Sequence, residues 1–162
     1  MNPDDVRPVI IIDTREQTPL SFSKLDSERG TLTTGDYSVK GLEHLFAVER
    51  KSLDDFTACC KGTWRDRFER ELHRLRGFHF KRIVVTGTEN QIWNHEYRSQ
   101  INPKSVMNTA RAFEVRYEVP FLFYPTSAEA ASAIESWAFW FAREQLKNVA
   151  EILMGKKNGT KL

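Results

Sequence analysis

The sequence has few of the features that mark secreted, membrane-spanning or repetitive proteins. Its only two cysteines, Cys59 and Cys60, are neighbours, so they cannot easily form an ordinary disulfide, and they lack zinc-ligand spacing. No apolar run approaches the roughly 18 residues of a membrane span, and residues 1–5 lack the pattern of a signal peptide. No internal repeat and no linker rich in proline or serine is present. We therefore expect a reduced intracellular protein, in a microbe or a phage-infected cell (cytoplasm or nucleoid) or in a eukaryotic nucleus.

A large excess of charge of one sign is also missing, since the net charge is only +2 over 162 residues. Global charge therefore does not indicate a nucleic-acid partner. The distribution is more informative, because residues 61–82 carry eight lysines and arginines against three acids. The length is that of one ordinary domain. We expect this domain to span residues 1–154, followed by a disordered tail at residues 155–162.

Hydrophobic patterning predicts strands that alternate with helices, which favours an α/β sheet with crossover connections. The expected strands are residues 8–13, 31–38, 45–51, 82–86 and 120–124. Ser52 is expected to cap a helix with acids in its first turn. Further helices are expected over residues 64–77 and 103–117, and a last one capped by Ser127 and ending near Met154.

Three carboxylates, those of Asp13, Asp36 and Glu49, lie near the ends of predicted strands. Because successive side chains of a strand point to opposite faces, Glu49 and Lys51 should project together while Arg50 points away. Converging carboxylates suit a hard cation such as Mg²⁺, and a lysine beside them suits an attacked phosphate. Lys51 can orient or deprotonate the attacking water, or stabilise charge on the phosphorane oxygens. The pattern suggests phosphodiester hydrolysis, although the same residues in isolation are more often a salt-bridged surface.

Three segments together carry a resemblance to a known family: residues 12–16 (Ile-Asp-Thr-Arg-Glu), residues 35–37 (Gly-Asp-Tyr), and residues 48–56, which contain Glu-Arg-Lys and a further acid, Asp55. They resemble the nuclease domain of the XPF/Hef family, whose signature is GD followed by ERKxxxD. The resemblance extends over nearly the whole chain. It implies a restriction-endonuclease-like (PD-(D/E)xK) core, with a central mixed sheet flanked by helices, that cuts DNA with Mg²⁺ or Mn²⁺.

The resemblance also implies roles for individual residues. Asp36 and Glu49 would bind the metal, with Asp13 as a further candidate ligand, and Lys51 would be the catalytic lysine. The supporting active-site residues would be Asp13, Arg15, Glu16, Arg50 and Asp55. Because Arg50 should face away from Glu49, its role is expected to be an ion pair or a phosphate contact, and its carbonyl remains within possible reach of the metal.

The basic segment contributes candidates for DNA contact, because the arginine guanidinium matches phosphate bidentately. These candidates are Lys61, Arg65, Arg67 and Arg70. Arg65 is the first choice because it lies nearest the start of the helix. Alternatively, the arginines pair with Asp66, Glu69 and Glu71 at helical spacing and form a solvated face.

Many members of the family carry a tandem helix-hairpin-helix module, and nothing after Met154 resembles one. We therefore expect a standalone nuclease domain, with a separate DNA-binding partner protein as an open possibility. Selectivity for branched, flap or fork DNA in repair or recombination is expected from the resemblance. The last helix is apolar over much of its circumference, which favours core packing or, second, a homodimer through its aromatic residues.

Two alternative functions are compatible with the same sequence features. A non-catalytic DNA-binding or scaffold subunit could keep the fold, but such subunits usually lose the acids or the lysine, and Asp36, Glu49 and Lys51 are all present here. A restriction-type enzyme could share the same fold with a different specificity.

Overall fold

The computed structural model describes residues 2–155 and shows one mixed six-stranded sheet with helices on both faces. A short 3-10 helix (Pro3–Asp5) precedes the sheet. The strands are β1 (Ile10–Asp13), β2 (Ser27–Gly30), β3 (Tyr37–Val39), β4 (Phe46–Ser52), β5 (Phe80–Thr86) and β6 (Phe121–Tyr124). The helices are α1 (Leu53–Ala58), α2 (Gly62–Leu75), α3 (Glu89–Trp93), α4 (Pro103–Tyr117) and α5 (Ser127–Gly155).

The order of the strands across the sheet is β2-β1-β3-β4-β5-β6. The central strands β1, β3 and β4 pair antiparallel, whereas β2 is parallel to β1, and β5 and β6 continue parallel to β4. Parallel neighbours need crossover connections, which α1 and α2 supply between β4 and β5, and α3 and α4 between β5 and β6. The sheet is therefore the mixed, helix-flanked α/β sheet that the sequence predicts.

Each face of the sheet has its own apolar core. Ala47, Ile83 and Val85 pack against α1, α2 and α4, where Phe56, Phe68 and Phe113 fill the interior. On the other face, Val48 and Val84 pack with residues of β1 and β3 against Ile134 and Ala138 of α5. The alternation of side chains along β4 assigns Ala47 and Val48 to opposite cores, and it likewise assigns Glu49 and Lys51 to the α2 side.

Most predicted elements are observed, with corrections at three places. The predicted strand at residues 31–38 is a strand only from Tyr37, because residues 33–36 form a bend that leads into β3. Strand β2 was missed because its four residues, three polar and exposed followed by Gly30, have no strand pattern and owe their conformation to pairing with β1. Helix α3 was missed because five residues are too few for a periodic pattern, although Thr88 and Gln91 form a capping box.

Two details of the helices also differ from the prediction. Trp64 does not share the buried face of Phe68, Leu72 and Leu75, since its side chain is 58% exposed. The hydroxyl of Thr126, rather than that of Ser127, accepts a hydrogen bond from the Glu129 amide at the start of α5. Along residues 2–155, none of the helices combines the length and apolar character required to cross a membrane. The predicted disordered tail beyond Gly155 lies outside the described residues.

Candidate active site

Gly35 brings Asp36 against the middle of β4. Its φ of +82° is in the left-handed region that favours glycine, and a Cβ at this position would lie 3.2 Å from the Val48 carbonyl oxygen. The chain can therefore pass close to β4, where the Asp36 amide donates a 2.8 Å hydrogen bond to that same oxygen. The Asp36 carboxylate in turn accepts a 2.8 Å hydrogen bond from the Arg50 amide. The Gly-Asp pair thus fixes one carboxylate beside the Glu-Arg-Lys segment.

The alternation predicted for β4 is confirmed. The Lys51 ammonium lies 3.6 Å from Glu49 Oε1 on the α2 side of the sheet. Arg50 points to the other side, where its Nη2 donates to the carbonyl oxygen of Thr18 at 2.8 Å and lies 3.5 Å from Glu16 Oε1. Glu49 and Lys51 therefore share one cleft, and the Arg50 side chain anchors the loop that follows β1.

The carboxylates of this cleft are held close together in a partly buried place. Burial, the charge of Glu16 and that of Glu71 raise the pKa of Asp36 to about 6, against the opposing Arg50 amide and Lys51 charge. Burial and then the charge of Asp36 raise the pKa of Glu49 to about 8. Burial alone would lower the pKa of Lys51, but the Glu49 and Glu71 carboxylates outweigh it and raise that pKa. Lys51 is therefore a cation at neutral pH, surrounded by an excess of acids.

One face of α2 completes the cleft and supplies a residue that sequence reasoning missed. Trp64, Arg67, Glu71 and Arg74 follow one another at spacings of three, four and three, which places them on one helical stripe. Glu71 Oε2 lies 3.4 Å from the Lys51 ammonium and is buried without a hydrogen bond. The signal was present in the sequence, because this stripe adjoins the buried face of α2. The helical spacing instead predicts Glu71 as a partner for arginines of the same helix.

Two adjoining cavities lie along this stripe and share Glu49, Arg67 and Glu71 in their walls. The smaller cavity, about 250 Å³, also contains Asp13, Asp36, Arg15 and Arg74. The larger one, about 480 Å³, also contains Lys51, Asp55, Phe68 and Trp64. The predicted site residues Asp13, Arg15, Asp36, Glu49, Lys51 and Asp55 thus meet at one edge of the sheet.

A model of the ERCC4 domain family matches residues 12–136, which is most of the chain and includes this whole cleft. The chain belongs to the ERCC4 domain family. A search of curated proteins gave no match. The predicted resemblance to XPF/Hef-type nuclease domains is therefore confirmed at the level of the family.

Solved structures show the fold of this ERCC4 domain. XPF from Aeropyrum pernix superposes with a TM-score of 0.65 and 23% identity, over 81% of this chain and 60% of that chain. XPF from Aeropyrum pernix in complex with DNA gives a TM-score of 0.68 and 23% identity, over 85% of this chain and 66% of that chain. The matched region is thus less than two thirds of either XPF chain. At this identity the similarity establishes the restriction-endonuclease-like fold that the sequence predicts.

Within this ERCC4 domain, Asp13 is buried and its two carboxylate oxygens already have partners. Oδ2 accepts a 2.7 Å hydrogen bond from Arg15 Nε, and Oδ1 accepts one of 2.9 Å from the Leu32 amide. Burial opposes ionisation, but these donors outweigh it and hold the pKa of Asp13 below its usual value. Asp13 therefore positions Arg15 and the Leu32 loop, and its carboxylate is less available to a metal than those of Asp36 and Glu49.

Glu16 lies on the far side of β4, beside Arg50. One of its oxygens is 3.5 Å from Arg50 Nη2, and the other accepts a 3.4 Å hydrogen bond from the Tyr37 hydroxyl. The same hydroxyl accepts a 2.9 Å hydrogen bond from the Leu20 amide. Glu16 and the Arg50 side chain therefore hold the loop after β1 in place. The backbone amide of Arg50 donates to the Asp36 carboxylate, so this loop is connected to the cleft.

The four candidates for DNA contact occupy different places. Arg65 is bound within the protein, because its Nη1 donates to the Cys60 carbonyl at 3.1 Å and to the Thr109 hydroxyl at 3.3 Å. Lys61 is exposed at the residue that precedes α2, and Arg70 is exposed beyond the cleft. Arg67 is 64% exposed and lies in the walls of both cavities.

The donor set of this ERCC4 domain fits a hard divalent cation. Burial and then the charge of Asp36 raise the pKa of Glu49, and Glu71 Oε2 lacks a hydrogen bond. Among residues 2–155, no three acidic, histidine or cysteine side chains converge into a complete metal-binding group. Mg²⁺ does not require one, because it commonly keeps several waters and takes one or two protein carboxylates.

Proposed function

We propose that this ERCC4 domain, over residues 1–154, is a divalent-metal-dependent DNA endonuclease. The observation that carries the proposal is the convergence of Asp36, Glu49 and Lys51. Two partly buried carboxylates, one directly before β3 and one on β4, and one ammonium line two adjoining cavities that are open to solvent. Carboxylates without a cation would repel a phosphate, so this arrangement suits a metal-assisted reaction on a phosphodiester.

Asp36 and Glu49 are the residues that would hold Mg²⁺ or Mn²⁺. Glu71, beside Lys51, would add a further negative charge to the site. The ion would neutralise the carboxylates and supply a Lewis acid at the phosphate. Lys51 is held as an ammonium by Glu49 and Glu71, which favours the stabilisation of charge on the phosphorane oxygens over the role of a base. Asp13 and Arg15 support the cleft from β1, and Asp55 borders it from α1.

The proposed substrate is branched, flap or fork DNA, cut during repair or recombination inside the cell. Membership of the ERCC4 domain family supports a nuclease, and the similar structure of XPF from Aeropyrum pernix is a complex with DNA. Arg67 in the walls of the cleft, and exposed Lys61 and Arg70 outside it, supply cations for contact with DNA. A separate DNA-binding partner protein and a homodimer through α5 belong to the same proposal.

Cleavage of matched linear, flap, fork and four-way DNAs with Mg²⁺, Mn²⁺ or EDTA tests the proposal. We expect metal-dependent cleavage that Lys51→Ala and Asp36→Asn each reduce by at least about 100-fold, as expected for loss of transition-state charge stabilisation. Lys40→Ala and Asp26→Asn are matched controls, because both residues are exposed outside the cleft, and both should keep wild-type rates. Equal cleavage by the wild type and the two cleft variants would contradict the proposal. Structure-selective binding without cleavage under either metal would favour the scaffold alternative.

A further inference from the structure

The larger cavity differs in chemistry from the carboxylate cavity that it adjoins. Its walls include Ala58, Cys59, Phe68 and Trp64, whereas its border with the smaller cavity consists of Glu49, Arg67 and Glu71. The Lys51 ammonium stands at this border, 4.7 Å from the centre of the Phe68 ring. A charged half and a more apolar half thus meet at Lys51. The volume of about 480 Å³ is in the usual range for a small-molecule pocket, about 300–1,000 Å³.

Trp64 is the unusual member of this wall. It lies on the first turn of α2, on the same stripe as Arg67 and Glu71, and 58% of its surface is exposed. An indole exposed beside a reactive centre differs from one exposed on an arbitrary surface, because it offers a flat apolar face to whatever enters the cleft. The Arg67 guanidinium lies 5.8 Å from the centre of its ring. The cavity therefore presents an aromatic face and a cation next to the proposed scissile phosphate.

We propose that this cavity receives one unpaired nucleobase, stacked on Trp64, next to the phosphate that is cut. The proposal rests on the proposed nuclease function and specifies its substrate class: DNA with an unpaired nucleotide at the cleavage position. Every base has a flat π-face, so stacking on an indole is sequence-tolerant. Arg67 is placed to contact the phosphate attached to that nucleotide. A fully paired base cannot leave its stack without an energetic cost, so the cavity favours fork and flap junctions over linear duplex.

A pair of fork DNAs tests the proposal, one normal and one with an abasic residue at the nucleotide beside the cleaved phosphate. The readouts are the Kd by fluorescence anisotropy in Ca²⁺ and the cleavage rate in Mg²⁺. We expect the abasic fork to bind the wild type roughly tenfold more weakly than the normal fork. Trp64→Ala should bind both forks equally, at the weaker value. Trp64→Phe should keep most of the difference because it keeps an aromatic face.

Trp93→Ala is the matched control, because Trp93 is 48% exposed and lies outside both cavities. It should distinguish the two forks as the wild type does. An equal abasic effect in the wild type and Trp64→Ala, or no effect in either, would overturn the base pocket while leaving the nuclease proposal intact. Failure of the wild type to cut any DNA would overturn the nuclease proposal, and the binding comparison would still decide the role of Trp64. Failure to bind either fork would overturn the pocket.

Discussion

Among single residues, several carboxylates lie close together in the cleft, and their mutual repulsion is unfavourable. Asp36, Glu49 and Glu71 surround a single ammonium, that of Lys51, and the pKa of Glu49 is raised from 4.5 to about 8. When folding raises the pKa of a carboxyl group, the folded state loses stability with increasing pH. The loss occurs between the pKa of the group in the unfolded state and its pKa in the folded state. The site therefore lowers the stability of the metal-free protein near neutral pH, as expected for residues arranged for function.

We predict that Glu49→Gln stabilises the metal-free protein, and increasingly so at higher pH. Near pH 4 the carboxyl of Glu49 is largely protonated in the folded state, so the free energies of unfolding of the variant and the wild type should be similar. Above pH 8 the wild type carries the buried charge, so the variant should be more stable by about 1–3 kcal/mol. Urea denaturation in EDTA from pH 4 to pH 9 measures the difference.

Glu43→Gln is the control for this prediction, because Glu43 is exposed and outside the cleft. Its free energy of unfolding should follow that of the wild type across the whole pH range. A loss of stability in Glu49→Gln that does not change with pH would contradict the charge argument. Such a result would show that Glu49 is held by favourable contacts in the folded protein.

Among the secondary-structure elements, α2 has three faces with different surroundings. Phe68, Leu72 and Leu75 are buried against the sheet, and the stripe from Trp64 to Arg74 lines the cleft. Arg70 projects from the exposed remainder of the helix. Because a helix presents residues three and four positions apart on one face, five arginines within one segment acquire different surroundings. Their common residue type therefore does not imply a common role.

We predict that Arg70→Ala and Arg65→Ala separate DNA binding from stability. Arg70→Ala should weaken binding of all DNAs similarly and reduce the slope of log Kd against log salt by about one. Arg65→Ala should instead lower the melting temperature, because Arg65 joins α2 to α4 through Thr109 and packs on the Phe113 ring. Salt titrations by anisotropy and thermal melts measure the two effects.

Arg7→Ala is the control, because Arg7 is exposed and lines a cavity with α5 residues on the opposite face of the sheet. It should change neither the salt slope nor the melting temperature. If Arg70→Ala leaves the slope of log Kd against log salt unchanged, Arg70 does not contact the bound DNA. If Arg65→Ala reduces this salt slope and leaves the melting temperature unchanged, Arg65 contacts a DNA phosphate and is not a structural residue.

At the scale of the whole molecule, α5 covers one face of the sheet and continues beyond it. Ile134 and Ala138 are buried, and Trp137 and Phe141 pack against Phe80. Farther along the helix, several apolar side chains are exposed: Val149, Ile152, Leu153 and Met154. Core packing thus accounts for Trp137 and Phe141, whereas Trp140 stays 55% exposed. The homodimer proposal rests on Trp140 and on the exposed apolar end of the helix.

We predict that the double substitution Ile152→Glu/Leu153→Glu converts a homodimer into a monomer. Burial of these side chains against a second copy would stabilise the dimer, and two added charges would repel across the interface. Light scattering after size exclusion should give twice the chain mass of 18.9 kDa for the wild type and a single chain mass for the variant. Ala128→Glu, which adds an exposed acid at the first turn of α5, should remain dimeric. A monomeric wild type at high concentration would contradict the prediction.

Neighbouring residues in the chain are enough to predict the local features of this protein. Alternation along β4 placed Glu49 and Lys51 on one side and Arg50 on the other, because side-chain direction in a strand depends only on parity. The cap at Ser52 and the start of α4 at Pro103 were likewise set by neighbouring residues. The Gly-Asp and Glu-Arg-Lys motifs indicated the family.

Contacts between distant segments of the chain depend instead on how the elements pack together. Strand β2 forms because its residues pair with β1. Glu71 lies in the cleft because α2 packs on the face of the sheet to which Glu49 and Lys51 point. The surroundings of Arg65 and Trp64 depend on how α2 packs against α4 and the sheet. Periodicity shows which residues share a helix face, but packing decides what that face contacts. The proposed catalytic motif can therefore be found in the sequence, whereas the contacts of Glu71 and Trp64 follow only from the packing of α2.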